Sequence, residues 1–497
     1  MEVLNKKELL KLQNGTDIRG IALENKERQV NLDKEATEEI AKGFVLWLSE
    51  KTHKAVQELR IAVGRDSRLS GDMLKKTMMY KMQGYGVQVF DTGLSTTPAM
   101  FMSTVFEDYK MDGAVMITAS HLPYFHNGFK FFTREGGLDK SDITQILSEE
   151  REVSQAEPKD IVSRGLIGDY SRYLVDFIRK QTGEEFPLKS LHIIVDAGNG
   201  AGGFFAKEVL EELGADTKGS CYLEPDGMFP NHIPNPENKE AMRSISQAVA
   251  NHGADLGIIF DTDVDRAAIV SHEAEEINRN RLIALISSIV LAEHPGSTVV
   301  TDSITSNSLA EFIEARGGLH HRFKRGYRNV INEAVRLNEE GVETHLAIET
   351  SGHAAMKENY FLDDGAYLVA KILVYVAKLH KKGLAVTSLL ENLTDPKEEG
   401  EYRLPITATN FKAYGQSVLS DLERFIEKEE GYRLPEKNYE GVKGIVPGGW
   451  FLLRMSLHEP LMPLNIEGDE EGVVGEVVRK LKLFFEKYEE LDSSSLT

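Results

Sequence analysis

The chain has 497 residues, 41% of them hydrophobic, and a formal net charge of −21. A single hydrophobic core stops growing at about 250–300 residues, so several domains are expected. The acidic balance argues against nucleic acid and anionic membranes as partners, because both call for a basic footprint. No apolar run reaches the roughly 20 residues of a membrane span. The start, Met1-Glu-Val-Leu-Asn-Lys-Lys7, lacks the apolar stretch of a signal peptide. One cysteine, Cys221, rules out an internal disulfide, so a cytoplasmic protein is expected.

Taken in chain order, apolar runs repeatedly end in polar, turn-rich loops. Ile61-Ala-Val-Gly-Arg-Asp-Ser-Arg68, Ile193-Ile-Val-Asp-Ala-Gly-Asn-Gly200 and Thr298-Val-Val-Thr-Asp-Ser-Ile-Thr305 form a weak internal repeat. Each reads as a strand followed by a helical stretch. In Asn307–Ala315, for instance, Leu309, Phe312 and Ile313 share one face. Each unit then closes on a second run with a polar end: Asp112–His121, Ala254–Arg266 and Thr344–His353. From about Thr394 the pattern changes to helix (Gly415–Glu430), strands (Gly441–Val446, Trp450–Leu457, Leu464–Glu467) and helix (Gly472–Tyr488). Charged, Pro-containing stretches at Ala156–Lys159 and Thr394–Glu401 read as linkers, and Asp492–Thr497 as a frayed tail. The expected fold class is α/β: three tandem α/β domains with mixed, largely parallel sheets, plus a C-terminal α+β domain, around a central cleft. The boundaries fall at 1–168, 169–275, 276–393 and 394–497.

In open α/β sheets ligands bind beyond the carboxyl ends of strands, so the polar ends are the candidate sites. Ser120, flanked by Thr118 and His121, is either an activated nucleophile or a serine capping a turn. A G-x-S-x-G elbow is absent, which argues against acyl transfer. In Asp261-Thr-Asp-Val-Asp-Arg266 alternating carboxylates converge oxygen ligands, as hard cations such as Mg²⁺ require. A calcium EF-hand does not fit, because the sixth position is Arg266 rather than Gly and the twelfth is His272 rather than Glu. Arg266 beside a metal suits an anionic ligand. Glu349-Thr-Ser-Gly-His353 either grips sugar hydroxyls, with His353 in proton transfer, or caps a following helix. Arg454 and Ser456 follow a strand and read as a phosphate cradle or a salt-bridged turn. Arg19, Lys130, Lys324 and Arg328 are further cations near Gly- or Ser-containing loops.

These segments, in this order, resemble the α-D-phosphohexomutases, specifically the phosphomannomutase/phosphoglucomutase branch. The series runs through Asn14-Gly-Thr-Asp-Ile-Arg-Gly20, Gly64-Arg-Asp-Ser-Arg68, Thr96-Thr-Pro98, Thr118-Ala-Ser-His121, Asn127-Gly-Phe-Lys130 and Asp196–Gly200. It continues through Pro225-Asp-Gly-Met-Phe-Pro-Asn-His232, Asp261–Arg266, Glu349–His353, Asp363-Asp-Gly365 and the C-terminal loop. The resemblance implies that Ser120 carries a phosphoryl group and that Mg²⁺ is held by Ser120, Asp261, Asp263 and Asp265. It implies interconversion of hexose 1-phosphate and hexose 6-phosphate through a bisphosphate, with glucose 1,6-bisphosphate as activator. Arg19, His121, Lys130 and Arg266 would then stand at the reacting phosphate, with Lys130 or His353 moving the proton. Glu349, Ser351, Lys324 and Tyr327 would meet the sugar, and Arg454, Ser456 and His458 the distal phosphate. The expected partner is a hexose phosphate, and the expected assembly a monomer or homodimer. Departures from the family pattern stand at Leu122, Thr262, Val264, Ile304, Tyr327 and His458. A metal-dependent sugar phosphatase and a catalytically idle sugar-phosphate-binding protein are the competing readings.

Overall fold

The run Gly113–Ile117 is buried at every position, as a strand covered on both faces must be. The computed structural model that shows this describes residues 6–26, 28–456 and 459–496. They divide into two units: residues up to 282 with Ser351–Ser388, and Ile283–Thr350 with the chain from Leu389 onward.

In the first unit Gly113–Ile117 lies inside a mixed sheet. The strand order is Gln13–Asn14, Asp17–Ile21, His126–Thr133, Gly113–Ile117, Arg60–Arg65, Gln88–Leu94, Val162–Ser163. The last four run parallel, whereas Asp17–Ile21 and His126–Thr133 are antiparallel to their neighbours. Helices Lys34–Thr52, Gly71–Gly84 and Lys140–Ser148 bring Phe44, Leu48, Met78, Met82, Ile143 and Ile146 into one core with Ile61, Val63, Val115 and Ile117.

A second sheet in this unit pairs Ile193–Asp196 in parallel with Leu256–Phe260. Leu256–Phe260 also forms a hairpin with Ala267–Ser271, closing with Phe260 opposite Ala267. The register leaves Asp261–Arg266 as the turn between paired strands. Helix Lys239–His252 packs Met242, Ile245 and Val249 against Ile194, Ile259 and Val270. Ala354–Met356 and Leu362–Asp363 make a short antiparallel pair. Asp364 then caps the buried helix Gly365–His380.

The second unit contains the parallel strands Leu319–Arg322, Thr298–Thr301 and Thr344–Ile348 with helices Asn307–Ala315 and Tyr327–Glu339. It also contains an antiparallel sheet in the order Glu398–Pro405, Leu461–Gly468, Gly449–Leu453, Val442–Val446. Helices Phe411–Ile426 and Val473–Phe485 supply Leu422, Ile426, Leu481 and Phe485 to its core. The strand–helix pattern expected from Thr394 onward is present, with two differences. The stretch read as a linker at Thr394–Glu401 enters the strand Glu398–Pro405, which pairs with Leu461–Gly468 along its whole length. Its Glu398, Glu399, Glu401 and Arg403 hid it, because an edge strand carries charge on its open side. The strand expected to run to Leu457 ends at Leu453. Among the described residues no helix is long and apolar enough to cross a membrane.

Candidate active site

Strand Gly113–Ile117 delivers Thr118-Ala-Ser-His121 at its carboxyl end, and the loop is held in a costly shape. Ser120 has φ 51°, a left-handed conformation that a non-glycine residue adopts at a cost of about 1–3 kcal/mol. Two contacts hold it. Thr118 Oγ1 accepts the Ser120 N–H at 2.9 Å. Arg68 donates to four carbonyls of the loop: Ser120, Leu122 at 2.6 Å, Pro123 at 2.9 Å and His126 at 3.0 Å. Arg68 is itself buried beside Asp66, 3.3 Å from its Oδ2.

Facing Ser120 are Asp261, Asp263 and Asp265, all buried, each with a carboxylate oxygen within 4.8 Å of the others. Ser120 Oγ donates to Asp261 Oδ2 at 3.3 Å. Lys130 Nζ donates to Asp263 Oδ2 at 2.9 Å and to Asp265 Oδ2. Burial, then Asp265 and Asp263, push Asp261 well above the usual carboxylate range. Burial also opposes the charge on Asp265, but Lys130, His353 and Arg266 outweigh it and hold that carboxyl low. Asp263 Oδ1 and Asp265 Oδ1 are buried with no hydrogen-bond partner among the described residues. Three crowded carboxylates with two orphaned oxygens fit a bound cation. Thr97, in the turn of helix closed by the Thr96 cap, fixes the loop: its N–H donates to Asp263 O at 2.9 Å and its hydroxyl to Asp263 Oδ2.

Arg266 joins the serine to the carboxylates. Its Nη2 lies 3.1 Å from Ser120 Oγ and 2.7 Å from His121 Nδ1, and its Nε donates to Asp261 Oδ2 at 3.2 Å. A guanidinium only donates, so His121 Nδ1 is an acceptor and the ring is neutral. Burial, then Arg266 and Arg19, push His121 down to about 2. Arg19 stands opposite Gly128 on the adjacent strand, two residues before Lys130, so Arg19 and Lys130 share a face. His353 Nδ1 pairs with Asp363 Oδ2 and lies 3.9 Å from Asp265 Oδ1. Burial opposes the charge on His353, but Asp363 and Asp265 outweigh it and raise the ring to about 9.

The first unit thus brings together Ser120, His121, Lys130, Arg19, Arg266, His353 and the three aspartates. The loop Glu349–His353 passes from the second unit to the first after Thr350, and Ser351 in it is buried. The loop caps no following helix: the strand Ala354–Met356 comes next, and His353 bridges the backbone of Arg266.

Within the second unit, carboxylates hold the loop Lys324–Tyr327. The Arg325 N–H donates to Glu440 at 3.1 Å and the Gly326 N–H to Glu349. Ser303 Oγ also donates to Glu440, and Thr350 Oγ1 donates to Asp302 at 2.8 Å. Lys324 is exposed, and Tyr327 starts the helix Tyr327–Glu339. Arg454 is 8% exposed, its Nε has no hydrogen-bond partner among the described residues, and burial lowers its basicity although Glu440 works against that. Ser456 Oγ accepts the Glu459 N–H at 3.2 Å. His458 lies outside the described residues. Arg68, Thr97 and Asp363 were visible in the sequence only as parts of motifs, because nothing local tells an arginine that staples a loop from one on the surface.

Three family models match the chain in succession. They are described as phosphoglucomutase/phosphomannomutase alpha/beta/alpha domain I (residues 11–156), domain II (169–274) and domain III (278–395). A phosphomannomutase/phosphoglucomutase of Pseudomonas aeruginosa is 31% identical over 442 residues, covering 87% of this chain and 88% of that protein. A phosphoglucomutase/phosphomannomutase of Thermococcus kodakarensis is 30% identical over 422 residues, 83% of this chain and 86% of that one. A crystal structure of a phosphoglucomutase/phosphomannomutase family protein from Burkholderia thailandensis shares the fold. Its TM-score is 0.77 at 23% identity, over 97% of both chains.

Arg68 is expected to be the keystone of the serine loop. Arg68→Ala removes the cation beside Asp66, leaves four carbonyls without their donor and should cost about 3–5 kcal/mol. Urea unfolding at unchanged m-value reads that loss. Arg68→Lys, which keeps the charge but loses the fork, should fold and still turn over more slowly than wild type.

Proposed function

Since the chain belongs to the phosphoglucomutase/phosphomannomutase family of isomerases, we propose that it interconverts hexose 1-phosphate and hexose 6-phosphate, of glucose, mannose or both. The route is a phosphoserine at Ser120 and a hexose 1,6-bisphosphate that turns over between half-reactions. The observation that carries this reading is the contact set of Ser120: its Oγ lies within 3.3 Å of Asp261 and 3.1 Å of Arg266.

In each transfer a P–O bond to one oxygen breaks as one to the other forms, so Ser120 Oγ and a sugar hydroxyl exchange the phosphoryl group. Arg266 Nη2 and Arg19 supply charge-assisted donors to the phosphoryl oxygens. Lys130 or His353 moves the hydroxyl proton; both stand against Asp265. Asp261, Asp263 and Asp265 would hold a divalent cation, which we infer to be Mg²⁺ from the all-oxygen donor set. When bound it neutralises charge developing on the transferring phosphoryl group. Glu349, Ser351, Lys324 and Tyr327 are assigned to the sugar, and Arg454 with Ser456 to the phosphate that does not react. Glucose 1,6-bisphosphate is the inferred activator, because it rephosphorylates a serine left bare by an escaped intermediate. We place the enzyme in the cytoplasm, on the support of its single cysteine.

Ser120→Ala should abolish turnover of glucose 1-phosphate and mannose 1-phosphate in coupled assays. Intact-mass analysis should show a phosphorylated fraction in wild type that the variant lacks. If inorganic phosphate is released in step with substrate loss, the protein is a phosphatase and the mutase reading is wrong.

Chelation should inactivate the enzyme and Mg²⁺ should restore it. Calorimetric titration of the chelated protein with Mg²⁺ should show one binding event that Asp263→Asn weakens. Full activity after thorough chelation would remove the metal from the mechanism.

Arg454→Ala should raise KM by about tenfold to a hundredfold, the worth of a charged hydrogen bond, with a smaller fall in kcat. Arg454→Lys should restore part of it. Unchanged kinetics in Arg454→Ala would mean that this phosphate is held elsewhere.

A further inference from the structure

Two of the ordered motifs, Asp196–Gly200 and Pro225–His232, have no role in the transfer described so far. The structure joins them. The Asp196 carboxylate is fully buried and lies 3.0 and 3.1 Å from His232 Nε2. It also accepts the Ser244 hydroxyl and the Gly198 N–H, each at 2.9 Å. His232 Nδ1 lies 3.0 Å from the Ile233 carbonyl, which only accepts, so both ring nitrogens face acceptors. Gly198, at φ 52°, has Pro234 against it: a Cβ there would lie 2.7 Å from the Pro234 Cβ. The chain is held again four residues later. Asn238 caps helix Lys239–His252, and Asn278 Nδ2 donates to Pro236 O at 2.7 Å. The segment 233–237 is therefore anchored at both ends.

That segment presents two acceptors to one nitrogen of Arg266. Asn235 Oδ1, turned inward by accepting the Glu237 N–H at 3.0 Å, takes Arg266 Nη1 at 3.1 Å. Glu237 Oε2 lies 3.6 Å from the same nitrogen. The opposite edge of the guanidinium, Nε and Nη2, faces Asp261, Ser120 and His121. A guanidinium is planar, so fixing Nη1 fixes where Nη2 points. A phosphoryl group on Ser120 and a cation on Asp261 would each draw on the contacts of that reacting edge. The contacts of Nη1 are with neither Ser120 nor Asp261, so they do not compete with those two groups.

We propose that Asn235 and Glu237 are positioning residues for the reaction: held by the Asp196–His232 pair, they fix Arg266 Nη1 and so aim Nη2 at the phosphoryl group on Ser120. The proposal rests on the reading of Ser120 as phosphoryl carrier and Arg266 as its partner.

The test uses the full chain with Asn235→Ala, Glu237→Gln, the double variant, Asn235→Asp and Arg266→Lys. Steady-state kcat and KM for glucose 1-phosphate are read with glucose 1,6-bisphosphate present. Rapid-quench transfer from the phosphorylated enzyme to the sugar phosphate and thermal unfolding complete the set. The double variant should lose about thirtyfold or more in kcat and in the transfer rate, with KM within about twofold, because Arg266 acts on the transition state. Asn235→Asp, which keeps the acceptor, should retain most of the rate. Glu237 is partly exposed, so Glu237→Gln should fold and show a share of the same kcat loss. A double variant with kcat within twofold of wild type, or with a raised KM and unchanged kcat, overturns the proposal. If Arg266→Lys is crippled while Asn235 and Glu237 variants are not, the proposal alone fails. If Arg266→Lys is also fully active, the role of Arg266 fails with it.

Discussion

Three carboxylates cannot share one dry corner without positive charge to hold them there. Asp261, Asp263 and Asp265 are 0–1% exposed and crowd within 4.8 Å. Like charges so close repel strongly in a low dielectric, and at least one must take a proton or find a cation. The fold answers with Lys130 from strand His126–Thr133, Arg266 from the end of the turn and His353 from a loop far along the chain. Each comes from a different element. The mixed sheet, the Leu256–Ser271 hairpin and the loop before Ala354 must therefore meet at one point, and the topology of the first unit is the means.

Much of the remaining detail follows from keeping that point rigid. Gly200 lets the Asp196–Gly200 motif lie directly on the carboxylate turn, where a Cβ would be 2.7 Å from Thr262 O. Gly365 does the same from the other side, 2.7 Å from the Arg266 backbone. Arg68 fixes the serine loop and Thr97 fixes Asp263. In the second unit the N–H groups of Arg325 and Gly326 are taken by Glu440 and Glu349, and among the described residues the buried Arg454 has no acceptor for its Nε.

The strand ends were legible because buried strands read as unbroken apolar runs. Gly113–Ile117, Leu256–Phe260 and Thr344–Ile348 stand where their sequences placed them, and helix Asn307–Ala315 matches its expected bounds. The candidate residues Ser120, Asp261, Asp263, Asp265 and His353 were legible because they follow those runs closely. What was not legible acts at long range. Arg68 bonds carbonyls more than fifty positions away, and Asn235 reaches Arg266 across thirty-one. No periodicity or local spacing encodes such contacts. The strand Glu398–Pro405 was missed for the opposite reason: its local composition is that of a solvated linker, and only its pairing with Leu461–Gly468 makes it a strand.

The departures from the family pattern fall into two physical classes. Val264 sits at φ 66° in the carboxylate turn, a conformation glycine adopts freely and a β-branched residue adopts at a cost of about 1–3 kcal/mol. The turn persists because its neighbours determine it: Val264 is fully buried and its carbonyl accepts the Gly365 N–H at 3.1 Å. Its geometry is therefore kept at the expense of local strain. Ile304 is different, for it is accommodated without strain: it packs with Trp450 and Leu452 in a small apolar cluster. Lys443 Nζ lies 3.7 Å from the centre of the Trp450 ring, so a lysine side chain borders the same cluster from another strand. Both departures are thus absorbed by packing, one in the carboxylate turn of the first unit and one in the apolar cluster of the second.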